Sequence, residues 1–204
     1  MKTVERTHQR HAYDRRVERL CAHLSALLPR GGRVLDVGCG DGRLARRLQE
    51  ERPDVSMSGI DVLVRPNTEV PVEAFDGTTI PSEDRSVDGV LLVDVLHHTH
   101  NPMVLLREAA RVSRHSVIVK DHTKEGLLAG PTLRFMDKVG NARHGVALPY
   151  NYWTRSQWLD AVDALDLEVT ACVRQLDLYP AWANWMFGRS LHFVARLETA
   201  PEKT

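Results

Sequence analysis

The stretch RVLDVGCGDG, residues 33–42, decides how this chain is read. Val34, Leu35 and Val37 form a short apolar run that reads as a buried strand, broken by Asp36. Three glycines follow at alternate positions, Gly38, Gly40 and Gly42, and then a helical pattern of Leu44, Ala45 and Leu48. Strand, glycine turn and helix together make a ligand site at the carboxyl end of a parallel sheet. A dinucleotide fingerprint needs its third glycine at position 43, which is Arg43. Asp36 stands where a pyrophosphate would lie and would repel it. A cationic ligand without phosphate suits that carboxylate better.

Further motifs follow in order. Val55 to Ile60 reads as a second apolar strand and ends in Asp61, 21 residues after Gly40. An acid at that distance is placed to accept hydrogen bonds from ribose hydroxyls. PVEAFDGTTIP (71–81), SVDGVLLVDVLHHTHNP (86–102) and SVIVKDH (116–122) come next. Residues 33–122 closely resemble the class I S-adenosylmethionine (SAM)-dependent methyltransferases, of the type 11 kind. The resemblance implies an α/β, Rossmann-like doubly wound sheet, mostly parallel, with helices on both faces and an antiparallel edge hairpin. It implies SAM as cofactor, with S-adenosylhomocysteine (SAH) as product.

The same resemblance distributes the cofactor roles. Gly38, Cys39 and Gly40 bring backbone against the methionine portion, where only glycine combines close approach with the tight turn. Asp36 orients the amino group. Asp61 takes the ribose, Val62 and Leu63 flank the adenine, and Asp76, beside Gly77, accepts from the adenine amino group. Val93 and Asp94 close the site at the end of the fourth strand. Tyr13 folds over the methionine end from an N-terminal lid. For catalysis, methyl transfer needs alignment and exclusion of water, and a base only where the acceptor must lose a proton. His97, His98 and His122, each just past an expected strand, are the candidate bases. No metal site is expected. Neighbouring histidines on one turn point in different directions, and no carboxylate stands at a recognised ligand spacing.

Composition bounds the rest. The 204 residues are 43% hydrophobic and 26% charged, an ordinary globular balance, and suffice for one full core. Formal net charge is zero with the ten histidines neutral, which argues against a sequence-independent grip on nucleic acid. Arginines at 6, 10, 15, 16 and 19, and at 43, 46 and 47, read as the solvated faces of two helices. Cys21, Cys39 and Cys172 are too few and too scattered for a disulfide framework or a zinc site. The charged N-terminal region is unlike a signal peptide, and no apolar run approaches the roughly 20 residues of a bilayer span. A cytoplasmic protein is expected.

Residues 1–204 read as a single domain: an N-terminal helix or lid (1–30), the SAM-binding core (31–122) and a substrate-side and edge-strand region (123–204). The first part shows Val17, Leu20, Leu24, Leu27 and Leu28 on one helical face. Asn101-Pro102 starts a helix. Thr154 caps another, with Gln157 at the capping-box position. Residues 167–176 and 190–197 read as two late strands. All four tryptophans lie late (Trp153, Trp158, Trp182, Trp185), and residues 179–188 read as a flap. That distribution fits a small, hydrophobic or aromatic acceptor, or packing at the sheet edge. Residues 141–144 and 150–152 are further candidates for substrate contact. The expected function is methyl transfer to a small-molecule acceptor, by a monomer or a homodimer. An RNA or protein methyltransferase, or a SAM/SAH-binding partner subunit without its own chemistry, remains as the alternative.

Overall fold

The computed structural model describes residues 16–141, 149–178 and 191–199. The chain opens with helical residues 16–25 (α1) and then forms β1 (Gly32–Val37), whose last four residues are buried. The order continues with α2 (Arg43–Glu51), β2 (Val55–Asp61), β3 (Val72–Ala74), β4 (Val87–Val93), a 3-10 turn (Leu96–His98) and α3 (Pro102–Val112). It ends with β5 (Ser113–His122), α4 (Ala129–Asn141), α5 (Arg155–Asp163), β6 (Leu167–Val173) and β7 (His192–Thr199). The seven strands form one sheet in the order β3-β2-β1-β4-β5-β7-β6. Pairings from β3 to β5 are parallel, while β7 runs antiparallel to both β5 and β6.

Strand periodicity sorts the core into two faces. Val34, Leu91, Ile118 and Val194 meet Leu20 and Leu24 of α1 and Ala45 and Leu48 of α2. On the opposite face, Leu35, Val37, Val90, Leu92, Val117 and Val119 meet α3 (Leu105, Leu106, Ala109, Val112) and α5 (Ala161, Val162). A parallel sheet covered on both faces needs such apolar runs. Val17, Leu20 and Leu24 of α1 pack in the first cluster as expected, and Leu27 and Leu28 join them from the turn just past the helix end. A third, small cluster joins Ala129 and Leu133 of α4 to Tyr152 and Leu191.

Element ends differ from the sequence reading in places. Asn101 takes extended dihedrals before α3 but makes no side-chain cap bond, and Pro102 in the first turn sets the start. β5 begins three residues earlier than expected, paired to Val87 through Ser113. Gly126, with φ of 86°, lies before α4. The capping box is formed: Gln157 N–H donates to the Thr154 hydroxyl, and the Gln157 side chain accepts from Thr154 N–H. Trp153 and Trp158 pack into the second core cluster, ring centroids 4.8 Å apart, with Phe193 5.0 Å from Trp158. Among the described residues no helix is long and apolar enough to cross a membrane.

The sheet grows outward from β1 to β3 and then resumes on the other side of β1 with β4. The carboxyl ends of β1 and β4 therefore flank a topological switch point, where open α/β sheets bind ligands.

Candidate active site

The glycine turn leaves β1 in the left-handed region: Gly38, Gly40 and Gly42 have φ of 74°, 62° and 75°. Gly38 N–H donates to the Ile60 carbonyl at 2.7 Å, which ties the turn to β2. A Cβ on Gly38 would lie 2.6 Å from a Val95 methyl, whereas one on Gly40 would meet nothing within 4 Å. The space over Gly40 belongs to a cavity of about 570 Å³ that spans the switch point.

Asp61 at the end of β2 organises one side of this cavity. Its carboxylate accepts from Gly40 N–H at 2.8 Å and from Leu63 N–H at 2.9 Å. Val62 and Leu63, 61% and 56% exposed, form an apolar rim with Phe75 and Gly77. Asp76 lines the same side. Its Oδ1 accepts from Thr78 N–H, the Thr78 hydroxyl and Thr79 N–H, and these bonds hold its carboxyl below the usual carboxylate range. The cavity thus has apolar surface for a planar ring and carboxylates for hydroxyl and amino donors.

Three expected cofactor residues stand back from the lining. Asp36 is 2% exposed, and burial, reinforced by Asp61, pushes its carboxyl up to about 8. Cys39 turns its side chain against Gly59 of β2, so tightly that a Cβ there would lie 2.3 Å from its Sγ. Burial lifts its thiol to about 12. Val93 packs toward the α1–α2 face. Strand alternation explains Val93, because its side chain follows Leu91 to that face.

Asp94, just past β4, lines the cavity with φ of 56°. It binds Arg16 of α1 at 2.6 Å and Lys120 of β5, a lysine with no exposed surface. Burial raises the Asp94 carboxyl, but Lys120 and Arg16 outweigh it and hold the group well below its ordinary value. Lys120 Nζ also lies 3.4 Å from His192 Nδ1. Burial, with Lys120 next, keeps His192 far below the usual histidine range.

The other end of the cavity is built on histidine and aspartate. His97, in the 3-10 turn, is 2% exposed and does not line the cavity. Its Nδ1 lies 2.5 Å from Asp121 Oδ1, and its Nε2 3.3 Å from Asp137 Oδ2 on α4. Burial opposes protonation, yet Asp121 and Asp137 prevail and raise His97 to about 10. It carries its proton at neutral pH, so the expectation of His97 as a base is corrected. His98 and His122 do line the cavity. Burial, then the His97 charge, lowers His98 to about 4. Burial and Lys120 lower His122, whose Nδ1 lies 3.3 Å from Asp121 Oδ1. Both are neutral at pH 7 and able to accept a proton, weakly. Tyr152 donates its hydroxyl to Asp137, and its ring centroid lies 5.4 Å from that of His97.

Residues 6–171 match the sequence model of the methyltransferase domain family. The chain belongs to that family. A curated relative, the 27-O-demethylrifamycin SV methyltransferase of Amycolatopsis mediterranei, is 34% identical over 111 residues. That alignment covers 47% of this chain, and the chain spans only 40% of the relative's length. Among solved structures, an S-adenosylmethionine-dependent methyltransferase from Mesorhizobium loti superposes with a TM-score of 0.65 at 18% identity, over 87% of this chain and 96% of that one. The 1,6-didemethyltoxoflavin-N1-methyltransferase of Burkholderia thailandensis, solved with its acceptor and SAH, gives 0.65 at 18% identity, over 91% and 79%. The methyltransferase fold follows.

Within this methyltransferase domain several expected contacts take other positions. Asn151 anchors the 3-10 turn: its Nδ2 donates to the Thr99 carbonyl at 2.7 Å and to the His100 carbonyl at 3.1 Å. Tyr150 lines a separate cleft with Lys124 and Arg134. Tyr13, residues 142–148 and the expected flap at 179–188 with Trp182 and Trp185 lie outside the described residues. Sequence reasoning missed Arg16, Lys120, Asp121, Asp137 and His192. Lys120-Asp121, two charged residues directly after the apolar run Val117–Val119, was the available signal. Nothing in the local pattern of α4 singles out Asp137.

Proposed function

We propose that this methyltransferase domain moves a methyl group from SAM to a small organic acceptor bearing an ionisable hydroxyl or ring nitrogen. The observation that carries this reading is the shape of the cavity. One continuous cleft of about 570 Å³ runs from the Gly40–Asp61–Asp76 side to the His98–His122–Asp137 side. That volume lies in the range of about 300–1,000 Å³ found for small-molecule sites. Two neutral histidines at the far side suit a proton-bearing acceptor better than a purely apolar one. The apolar or aromatic acceptor expected from the late tryptophans gains no support from Trp153 and Trp158, which pack in the core. The names of the rifamycin and toxoflavin relatives describe methylation of small molecules, at an oxygen and at a nitrogen.

Electrostatics argue against a nucleic-acid substrate. Arg46 and Arg47 pair with Glu50 and Glu51 on their own helix, so that face is neutralised. The test is transfer of labelled methyl from SAM to a panel of phenols and nitrogen heterocycles, with total RNA and protein extract alongside. Label in a small-molecule product supports the reading. Label appearing in RNA or protein alone overturns it.

A further inference from the structure

His97, His98 and Asp137 each offer one donor atom, and the three atoms lie within 4.8 Å of one another. We propose that His97 Nε2, His98 Nδ1 and Asp137 Oδ2 form a three-ligand site for one divalent metal ion of the zinc type. The site lies in the wall of the cavity, which His98 and Asp137 line. Imidazole nitrogen and carboxylate oxygen suit zinc and its neighbours in the first transition row.

Two buried nitrogens point to a ligand. His97 Nε2 and His98 Nδ1 have no hydrogen-bond partner, although both atoms are shut off from water. His97 itself is 2% exposed. Buried polar nitrogens without partners are uncommon and need a reason. His97 Nε2 is 3.3 Å from Asp137 Oδ2, near enough for a hydrogen bond but not aligned for one. Two donors that share an ion show this arrangement. Each points at the ion rather than at the other, and bonds of about 2.1 Å at a tetrahedral angle put them about 3.4 Å apart. Adjacent histidines converge here because one uses its far nitrogen and the other its near one.

The surroundings support the donors in the way metal ligands need. His97 Nδ1 lies 2.5 Å from Asp121 Oδ1, which fixes the ring, and an ion at Nε2 displaces to solvent the second proton that the ring carries in the metal-free chain. Tyr152 donates its hydroxyl to Asp137. The neighbouring set of Asp94, His97, Asp121 and His122 is a poorer choice. There Asp94 already faces Arg16 and Lys120, whose charges repel a cation.

The site stands on its own geometry. Its consequence for catalysis, an acceptor oxygen held and made acidic by the ion, rests on the function proposed above. The experiment therefore reads metal binding without SAM or acceptor. The full chain, stripped of metal by chelator, is dialysed against zinc chloride and separately titrated with cobalt(II). One zinc per chain is expected, together with visible cobalt bands of a low-coordinate nitrogen–oxygen site. His98→Ala and Asp137→Asn, each folded by circular dichroism, should weaken binding by about tenfold or more, and Asp121→Asn by about 10–100-fold. Absence of stoichiometric binding, or binding unchanged in both His98→Ala and Asp137→Asn, overturns the site. Loss of methyl transfer with metal binding intact would instead count against the proposed function alone.

Discussion

Asp36 holds its carboxyl up at about 8 because burial, and then Asp61, disfavour its charge. A carboxyl raised in the folded state adds stability below its unfolded value near 4 and loses it as pH rises through about 8. Asp36 should therefore contribute a fall in the melting temperature of the ligand-free protein from about pH 4 to about pH 8, levelling off above it. Asp36→Asn should flatten that fall. A cationic amino group brought near Asp36 favours the ionised form, so SAM binding should release protons near neutral pH. Calorimetry in two buffers of different ionisation enthalpy reads this directly. Asp61→Ala should weaken SAM by roughly tenfold or more while the chain stays folded, since each hydrogen bond to a charged group is worth about 1.5–3 kcal/mol. Unchanged affinity would remove Asp61 from the ribose role. Gly40→Val adds strain at φ 62° and fills the space above the turn, and loss of SAM and SAH binding is the expected result.

At the scale of elements, the capping box at Thr154 starts α5, whose Ala161 and Val162 cover the sheet beside Trp158. Thr154→Ala should cost about 1 kcal/mol in chemical denaturation. This element was legible because capping chemistry is local: donor and acceptor lie three residues apart. Its neighbour α4 was not. The role of Asp137 depends on the 3-10 turn some 40 residues earlier. The 3-10 turn itself hides the difference between His97 and His98. One is clamped by Asp121 and Asp137, the other opens on the cavity.

For the whole molecule, a net charge of zero and self-paired arginines on α2 predict little dependence of turnover on salt. Raising salt from 50 to 200 mM should change the rate by less than about twofold, whereas a protein making 6–10 phosphate contacts loses about 10³–10⁵ in affinity. A steep loss would favour a nucleic-acid substrate. SAM or SAH at about 100 times its dissociation constant should add about 2.7 kcal/mol of stability, with no such shift from NAD or NADP. A thermal-shift series checks both halves of that statement.

Resemblance to the methyltransferases supplied the cofactor class, while the sequence by itself determined the strand–glycine–helix start, the central strands and the two-faced core. These follow from period and from spacing along the chain, as with Val34 and Leu35 on opposite faces and Asp61 set 21 residues after Gly40. Only tertiary structure decided which histidine keeps its proton, which expected contacts turn away, and what Lys120, Asp121 and Asp137 do. A pKa depends on charges within a few ångströms, and those charges come here from β4, β5, α1 and α4. Such neighbours meet only when the sheet closes around the switch point, and no local pattern in the chain records that meeting.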